Sequence, residues 1–106
     1  MDRIADLTEI LQHEVEEYSG PSIKAKTFAI SDSAKQTYTV IIVPDYPRKF
    51  EASIMVLAQE ESDKVIIEED TTDRQLWREL VRAGIPRDQI ILAYAGEKPP
   101  DESASK

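Results

Sequence analysis

The sequence predicts an α+β fold in the order helix, four strands, helix, strand. Apolar residues recur at helical spacing in two separated segments, and runs rich in β-branched and aromatic residues lie between and after them. Three of the links between strands are of hairpin length, which favours an antiparallel meander. The link through the second helix is long enough for a crossover, which favours a last strand parallel to its neighbour. We therefore expect a single sheet with both helices on one face.

Length and composition indicate one soluble domain. The chain has 106 residues, of which 41% are hydrophobic and 32% charged, and it lacks cysteine, so disulfides, thiol nucleophiles and Cys-based metal sites are excluded. Residues 1–96 are expected to form the domain, and the polar, proline-bearing residues 97–106 a disordered tail. The acidic, amphipathic start MDRIADLTEI does not resemble a signal peptide, and no apolar run reaches membrane-spanning length. We expect a cytoplasmic protein with no membrane partner.

The first helix and the meander follow from periodicity. In RIADLTEILQHEVEEY the apolar positions at helical spacing are Ile4, Leu7, Leu11, Val15 and Tyr18. The predicted strands are AKTFAI, with Phe28 and Ile30 on one face, then QTYTVIIV, FEASIMVLAQ, VIIEE and, after the second helix, QIILAYA. In the third strand, strict alternation predicts one shared face for Phe50, Ala52, Ile54 and Val56.

The second helix carries start and stop signals. Thr72, followed three residues later by Gln75, has capping-box spacing, so a helix is predicted over about residues 73–83. Gly84 stands where a helix ends in a left-handed residue, and Ile85 can then fold back onto Leu80.

Charge and motif content give no sign of an enzyme. The net charge is −8, from 13 basic and 21 acidic residues, which disfavours binding to the phosphate backbone of nucleic acids. Arg74, Arg78 and Arg82 could form a local basic cluster, but acidic residues lie between or beside them. We therefore expect no direct nucleic-acid binding by the isolated protein. His13, the one histidine, lies among glutamates on a solvated helix face, and no glycine-rich phosphate loop or calcium loop is present. No catalytic, cofactor or metal residue is predicted.

Two places could bind a partner. Trp77 precedes Arg78 on the second helix and is either an interface anchor or a core tryptophan beside Val81. Tyr46, Arg48 and Lys49 combine a ring with two cations, which in an acidic chain is a weak nucleic-acid signal, and a turn with solvated charges is the favoured alternative there.

An alternative hypothesis places a binding site at the N-terminal end of the second helix. Asp70, Thr72 and Asp73 lie where amide protons and the helix dipole favour an anion, so a small-molecule or anion-binding domain, or an enzyme, is the alternative function. The same residues are also adequately explained as helix caps.

Residues 64–92, KVIIEEDTTDRQLWRELVRAGIPRDQIIL, resemble the signature of the XisI family, the fdxN element excision controlling factors. The resemblance comprises a lysine-led strand, an Asp-x-Thr-acidic turn, a helix ending in Glu-Leu-Val-x-x-Gly-Ile-Pro and an Asp-x-Ile-x-Leu strand. The matching residues are Asp70, Thr72, Asp73, Glu79, Leu80, Val81, Gly84, Ile85, Pro86, Asp88, Ile90 and Leu92. Weaker similarity extends through Arg48 and Lys49 to the leading helix.

The sequence also departs from the family pattern. Ile66 replaces a strand tryptophan, Thr71 a glycine, and Pro44 lies where Gly-Trp is usual. Two histidines are missing, one at the position of Val56 and one near Ala95, so any function that depends on them would be lost. A divergent paralogue is expected.

The resemblance implies a function without implying a reaction. XisI-like proteins act with a companion, XisH, in controlling site-specific excision of a cyanobacterial DNA element by a separate recombinase. This chain would then be a non-enzymatic accessory factor that binds an XisH-like companion, with the recombinase as a second candidate partner. A homodimer is compatible with the sequence.

Overall fold

A computed structural model describes residues 6–20, 25–44 and 52–98. Within them the elements are α1 (Asp6–Glu16), β1 (Ala25–Asp32), β2 (Thr37–Pro44), β3 (Ser53–Glu61), β4 (Lys64–Asp70), α2 (Leu76–Arg82) and β5 (Ile90–Leu92), with 3-10 turns at Arg87–Gln89 and Ala93–Ala95. The sheet order is β1-β2-β3-β4-β5; the first four strands are antiparallel neighbours, and β5 is parallel to β4. The predicted class, element order and meander are confirmed.

Both helices pack on one face of the sheet, as expected. Leu11 and Val15 from α1 and Leu76 and Leu80 from α2 are at most 1% exposed and join a single apolar cluster with the sheet. The sheet and loop residues of this core are Tyr38, Val40, Val56, Ala58, Val65, Ile67, Ile85, Ile90 and Leu92. Helical spacing on α1 and strand alternation on β2 thus lead to the same buried surface.

Two tight turns explain why the meander forms. After β1, the Asp32 Oδ1 atom accepts hydrogen bonds from the amides of Ala34 and Lys35, at 3.1 and 3.3 Å. Between β3 and β4, Ser62 and Asp63 both have positive φ, +55° and +61°, and the flanking residues of the two strands pair directly. Positive φ at both central positions matches the twist of a two-residue hairpin.

A bulge in β3 overturns the predicted face of Ile54. Val40 pairs with Val56, but its neighbour Ile41 pairs with Ile54, so Met55 is an extra residue. Because a bulge breaks the alternation of side chains, Ile54 lies on the face away from the helices and is 40% exposed, whereas Val56 is fully buried. The expectation of a common face for these two residues was wrong.

Other boundaries differ in smaller ways. β5 is shorter than QIILAYA predicted because the chain enters the 3-10 turn at Ala93, which ends at left-handed Gly96 with φ +97°. Tyr46, Arg48, Lys49 and Phe50, and Ile4 of the first helical stripe, lie outside the described residues. Among the described helices, none combines the length and apolar character needed to cross a bilayer.

Candidate partner-binding surface on the second helix

The entrance of α2 is organised by Asp70, the last residue of β4. Its Oδ1 atom accepts hydrogen bonds from the amide and the hydroxyl of Thr72, at 2.9 and 2.6 Å, and its Oδ2 atom accepts one from the Leu76 amide at 2.7 Å. Gln75 is the N-cap residue and makes no side-chain cap bond. The predicted capping role of Thr72 and the start at residue 73 were therefore wrong, because a carboxylate with two acceptor oxygens already satisfies the helix amide from the strand side.

The end of α2 matches the prediction. Gly84 has φ +119°, its amide donates to the Val81 carbonyl at 3.0 Å, and the Ile85 amide donates to the Leu80 carbonyl at 3.0 Å. This is the paired hydrogen-bond pattern of a Schellman motif. Leu80 and Ile85 are both buried, which fixes the direction in which the chain leaves the helix.

Trp77 is half-buried, packs against the core, and lies beside the guanidinium groups of two arginines. The guanidinium carbons of Arg78 and Arg87 lie 5.2 and 5.1 Å from its ring centroid, within the range of cation–π attraction. We call Trp77, Arg78 and Arg87 the Trp77 surface. One part of Trp77 thus contacts the core, which fits the core alternative weighed from the sequence, while its ring also lies beside two exposed cations.

Arg87 was not among the sequence candidates. It follows Pro86 outside the periodic part of the helix, so no spacing rule connects it with Trp77. Arg87 Nη1 donates to the Ile90 carbonyl at 2.7 Å, and Nη2 pairs with Glu97 Oε2 at 3.0 Å. These contacts hold the guanidinium beside the ring.

Glu97 completes this arrangement. Its Oε1 atom accepts the Leu92 amide at 2.8 Å, and this hydrogen bond, assisted by Arg87, lowers the pKa of the Glu97 carboxyl. The residue lies in the segment predicted to be a disordered tail, so at least its side chain is tied to the domain.

A row of arginines borders the helix. Arg74, Arg78 and Arg82 line an open groove of about 370 Å³ together with Asp73, Gln75 and Glu79. Arg74 lies 4.8 Å from the Tyr18 ring centroid, and Arg82 Nη1 contacts both Glu79 carboxylate oxygens at 3.1 Å. Burial raises the pKa of Tyr18, whose hydroxyl donates to the Arg74 carbonyl. Two of the three cations thus have local partners, and Arg78 faces the Trp77 ring.

The remaining chemistry-bearing residues are dispersed. Among residues 6–20, 25–44 and 52–98, no group of three or more His, Asp or Glu side chains is arranged to hold a metal ion. His13 is exposed and lies 3.6 Å from a Glu17 carboxylate oxygen. Val56, at the position of a family histidine, is fully buried in the core.

These features define a small α+β domain in which Asp70 caps the second helix and an aromatic–arginine surface lies on α2. The chain belongs to the XisI family, since the family model described as XisI protein matches residues 1–101.

Solved structures show the same fold. The chain is similar to a XisI-like protein from Anabaena variabilis, with a TM-score of 0.75 and 19% identity, covering 98% of this chain and 95% of that one. It is also similar to the fdxN element excision controlling factor XisI from the same organism, with a TM-score of 0.56 and 21% identity, covering 92% and 88%. No curated protein matches this chain.

Proposed function

We propose that this protein is a non-enzymatic accessory factor that controls site-specific excision of DNA by binding other proteins in the cytoplasm. Its companion would be an XisH-like protein, and a site-specific recombinase is the second candidate. The observation that carries the proposal is the XisI family match over residues 1–101. The similar fold of a protein named as an excision controlling factor supports it.

The Trp77 surface is the part of the described chain best suited to contact a companion. Tryptophan and arginine are the residue types that dominate binding hot spots. Arg87 is already held by the Ile90 carbonyl and Glu97, so less conformational freedom is lost when a partner binds against it. Arg78 is exposed and can pair with a carboxylate of the companion.

The acidic surface would have a different role. Glu9, Glu16 and Glu17 are exposed on or beside α1, and the chain carries a net charge of −8. The negative electrostatic potential of these charges increases the association rate with a basic protein more than it increases the affinity. Contact with DNA would then be supplied by the companion or the recombinase.

A direct binding measurement tests the proposal. The XisH-like protein and the recombinase of the same cell would be titrated against the purified chain by calorimetry. Arg78→Ala should weaken binding at least about fivefold, which corresponds to the 1 kcal/mol threshold for a significant contact. Lys35→Ala is the matched control, because Lys35 is an exposed cation in the β1–β2 turn, at the sheet edge opposite β5. Failure of both proteins to bind the wild-type chain would contradict the proposal.

The anion-binding alternative has a specific obstacle. The Asp70 carboxylate already accepts the Leu76 amide and both Thr72 donors, so an incoming anion would have to displace it. A thermal-shift screen with Thr72→Ala as control addresses this site. A ligand that stabilises the wild type and not the variant, while the two unliganded proteins melt alike, would favour the alternative.

A further inference from the structure

The face of the sheet away from the helices exposes large apolar side chains. Four large hydrophobic residues in the described chain are prominently exposed, and three of them lie on this face: Phe28 at 48%, Ile30 at 49% and Ile54 at 40%. The fourth, Val81 at 38%, lies on α2. We call the outward side of β1, β2 and β3 the open face.

Strand register arranges the open face in two rows. Phe28 pairs with Ile41, which pairs with Ile54, so these three form one row across the strands. Ile30, Thr39 and Leu57 form the second row in the same way. Three strands about 4.8 Å apart and seven residues long, from Lys26 to Asp32 on β1, give the open face a projected area of roughly 330 Å², charged ends included. Contiguous apolar patches of about 300–600 Å² are the largest on typical monomers and are often functional.

We propose that the open face packs against the open face of a second copy of this chain. The two-fold axis would lie between the two sheets and parallel to them. It would run perpendicular to the strands, midway between the two rows. Phe28 of one copy would then face Ile30 of the other, and Ile54 would face Leu57. Two sheets packed in this way lie about 10 Å apart, and the same patch serves both copies.

Charge on the open face fits a second copy better than a charged partner. On β1 the rows are flanked by Lys26 on one side and Asp32 on the other, and both side chains are exposed. The proposed axis brings Lys26 of each copy towards Asp32 of the other. Asp32 is held in place by the Ala34 and Lys35 amides. On β1 the face therefore presents one cation and one anion, with no net charge, and the exposed Glu69, which pairs with Leu57, adds one carboxylate where the second row continues onto β4.

The overall negative charge does not prevent this association. The carboxylates of α1 lie beyond the sheet, on the helix side, because α1 packs on the opposite face. The α1 carboxylates of the two copies are then separated by more than the Debye length, about 8 Å at physiological salt. The patch is smaller than the roughly 800 Å² per partner of a standard interface, so we expect a weak, reversible dimer. It is independent of the Trp77 surface, which is on the helix side.

Sedimentation equilibrium of the whole chain over about 1–500 μM is the test, a range that includes the high concentrations a weak dimer needs. The wild type should shift from the 12.0 kDa monomer to a dimer of twice that mass. Phe28→Glu should raise the dissociation constant at least about thirtyfold, the factor that corresponds to a 2 kcal/mol hot spot. Val81→Glu is the matched control, since it adds the same charge at a similarly exposed apolar residue, and it should leave the dimer unchanged.

Charge variants test the position of the axis. Lys26→Asp should weaken the dimer, and adding Asp32→Asn, which removes the repelling carboxylate but keeps an Oδ1 acceptor for the turn amides, should recover part of the loss. If circular dichroism shows that Phe28→Glu does not fold, Ile30→Glu replaces it, because Ile30 is equally exposed in the other row. A wild type that stays monomeric throughout, or a dimer that tolerates both Glu variants, overturns the proposal. A monomeric chain that binds a different protein through Phe28 overturns it as well.

Discussion

Replacing Gly84 should reveal the energetic cost of ending α2. A Cβ atom built at Gly84 meets no atom within 4 Å, so a substitution there causes no steric clash with the rest of the protein. The cost must come from φ at +119°, which L residues rarely adopt. Left-handed backbone costs an L residue about 1–2 kcal/mol, and more when the side chain is β-branched. We expect Gly84→Ala to lower the free energy of unfolding by about 1–2 kcal/mol and Gly84→Val by more.

Gly20 is the matched control. A Cβ atom there also has no neighbour within 4 Å, but the backbone is not left-handed. Gly20→Ala should therefore be neutral or stabilise the protein by up to about 1 kcal/mol, through the lower entropy of the unfolded chain. Urea unfolding followed by circular dichroism measures both, and each kcal/mol corresponds to about 4–8 °C in Tm for a domain of this size. Equal effects of Gly84→Ala and Gly20→Ala would refute the reasoning.

Four further outcomes follow from the structure. Asp70→Ala should lower the free energy of unfolding by about 2 kcal/mol or more, because it leaves the Leu76 amide without its acceptor. Thr72→Ala should lower it by less than about 1 kcal/mol. Equal losses for the two variants in urea unfolding would count against Asp70 as the cap. The folded-state pKa of Glu97 lies below its ordinary value of 4.5, so the stability Glu97 contributes is present above that pH and is lost as pH falls through the folded pKa. The difference in Tm between wild type and Glu97→Gln should therefore shrink on acidification, and a constant difference would argue against this linkage. Removing residues 99–106 should leave Tm nearly unchanged. Removing residues 97–106 should lower Tm, because Glu97 binds the Leu92 amide and Arg87. Identical melting of the two truncated proteins would contradict this. Fluorescence anisotropy should detect no affinity of the isolated protein for duplex DNA at physiological salt, and salt-sensitive binding tighter than about 1 μM would overturn that expectation.

Local sequence patterns were sufficient wherever neighbours in the chain decide the structure. The stop at Gly84 was predictable because positive φ excludes other residues and the two hydrogen bonds span only five positions. The hairpin at Ser62 and Asp63 was predictable because short polar links leave antiparallel pairing as the solution. The family resemblance of residues 64–92 rests on the same segment, where local spacing is most constrained.

The candidate surface could be predicted only in part. Trp77 and Arg78 were found from sequence because tryptophan beside arginine is a recognisable combination. Arg87 was missed because its position beside the ring depends on where the chain returns after the Schellman turn, and on contacts with Ile90 and Glu97. No periodicity in the sequence predicts how the chain after the Schellman turn places Arg87 beside Trp77.

The sequence by itself determined the two helices, the five strands, their order and the family. The tertiary structure decided which side chains meet across the strands. A single extra residue at Met55 puts Ile54 on the open face, away from Val56, and Asp70 caps a helix that begins six residues later. Alternation rules assume uninterrupted strands, whereas a bulge is stabilised by strand pairing that forms only when the sheet assembles. Capping rules look for the residue next to the helix, whereas the Asp70 carboxylate reaches the Leu76 amide from the end of β4.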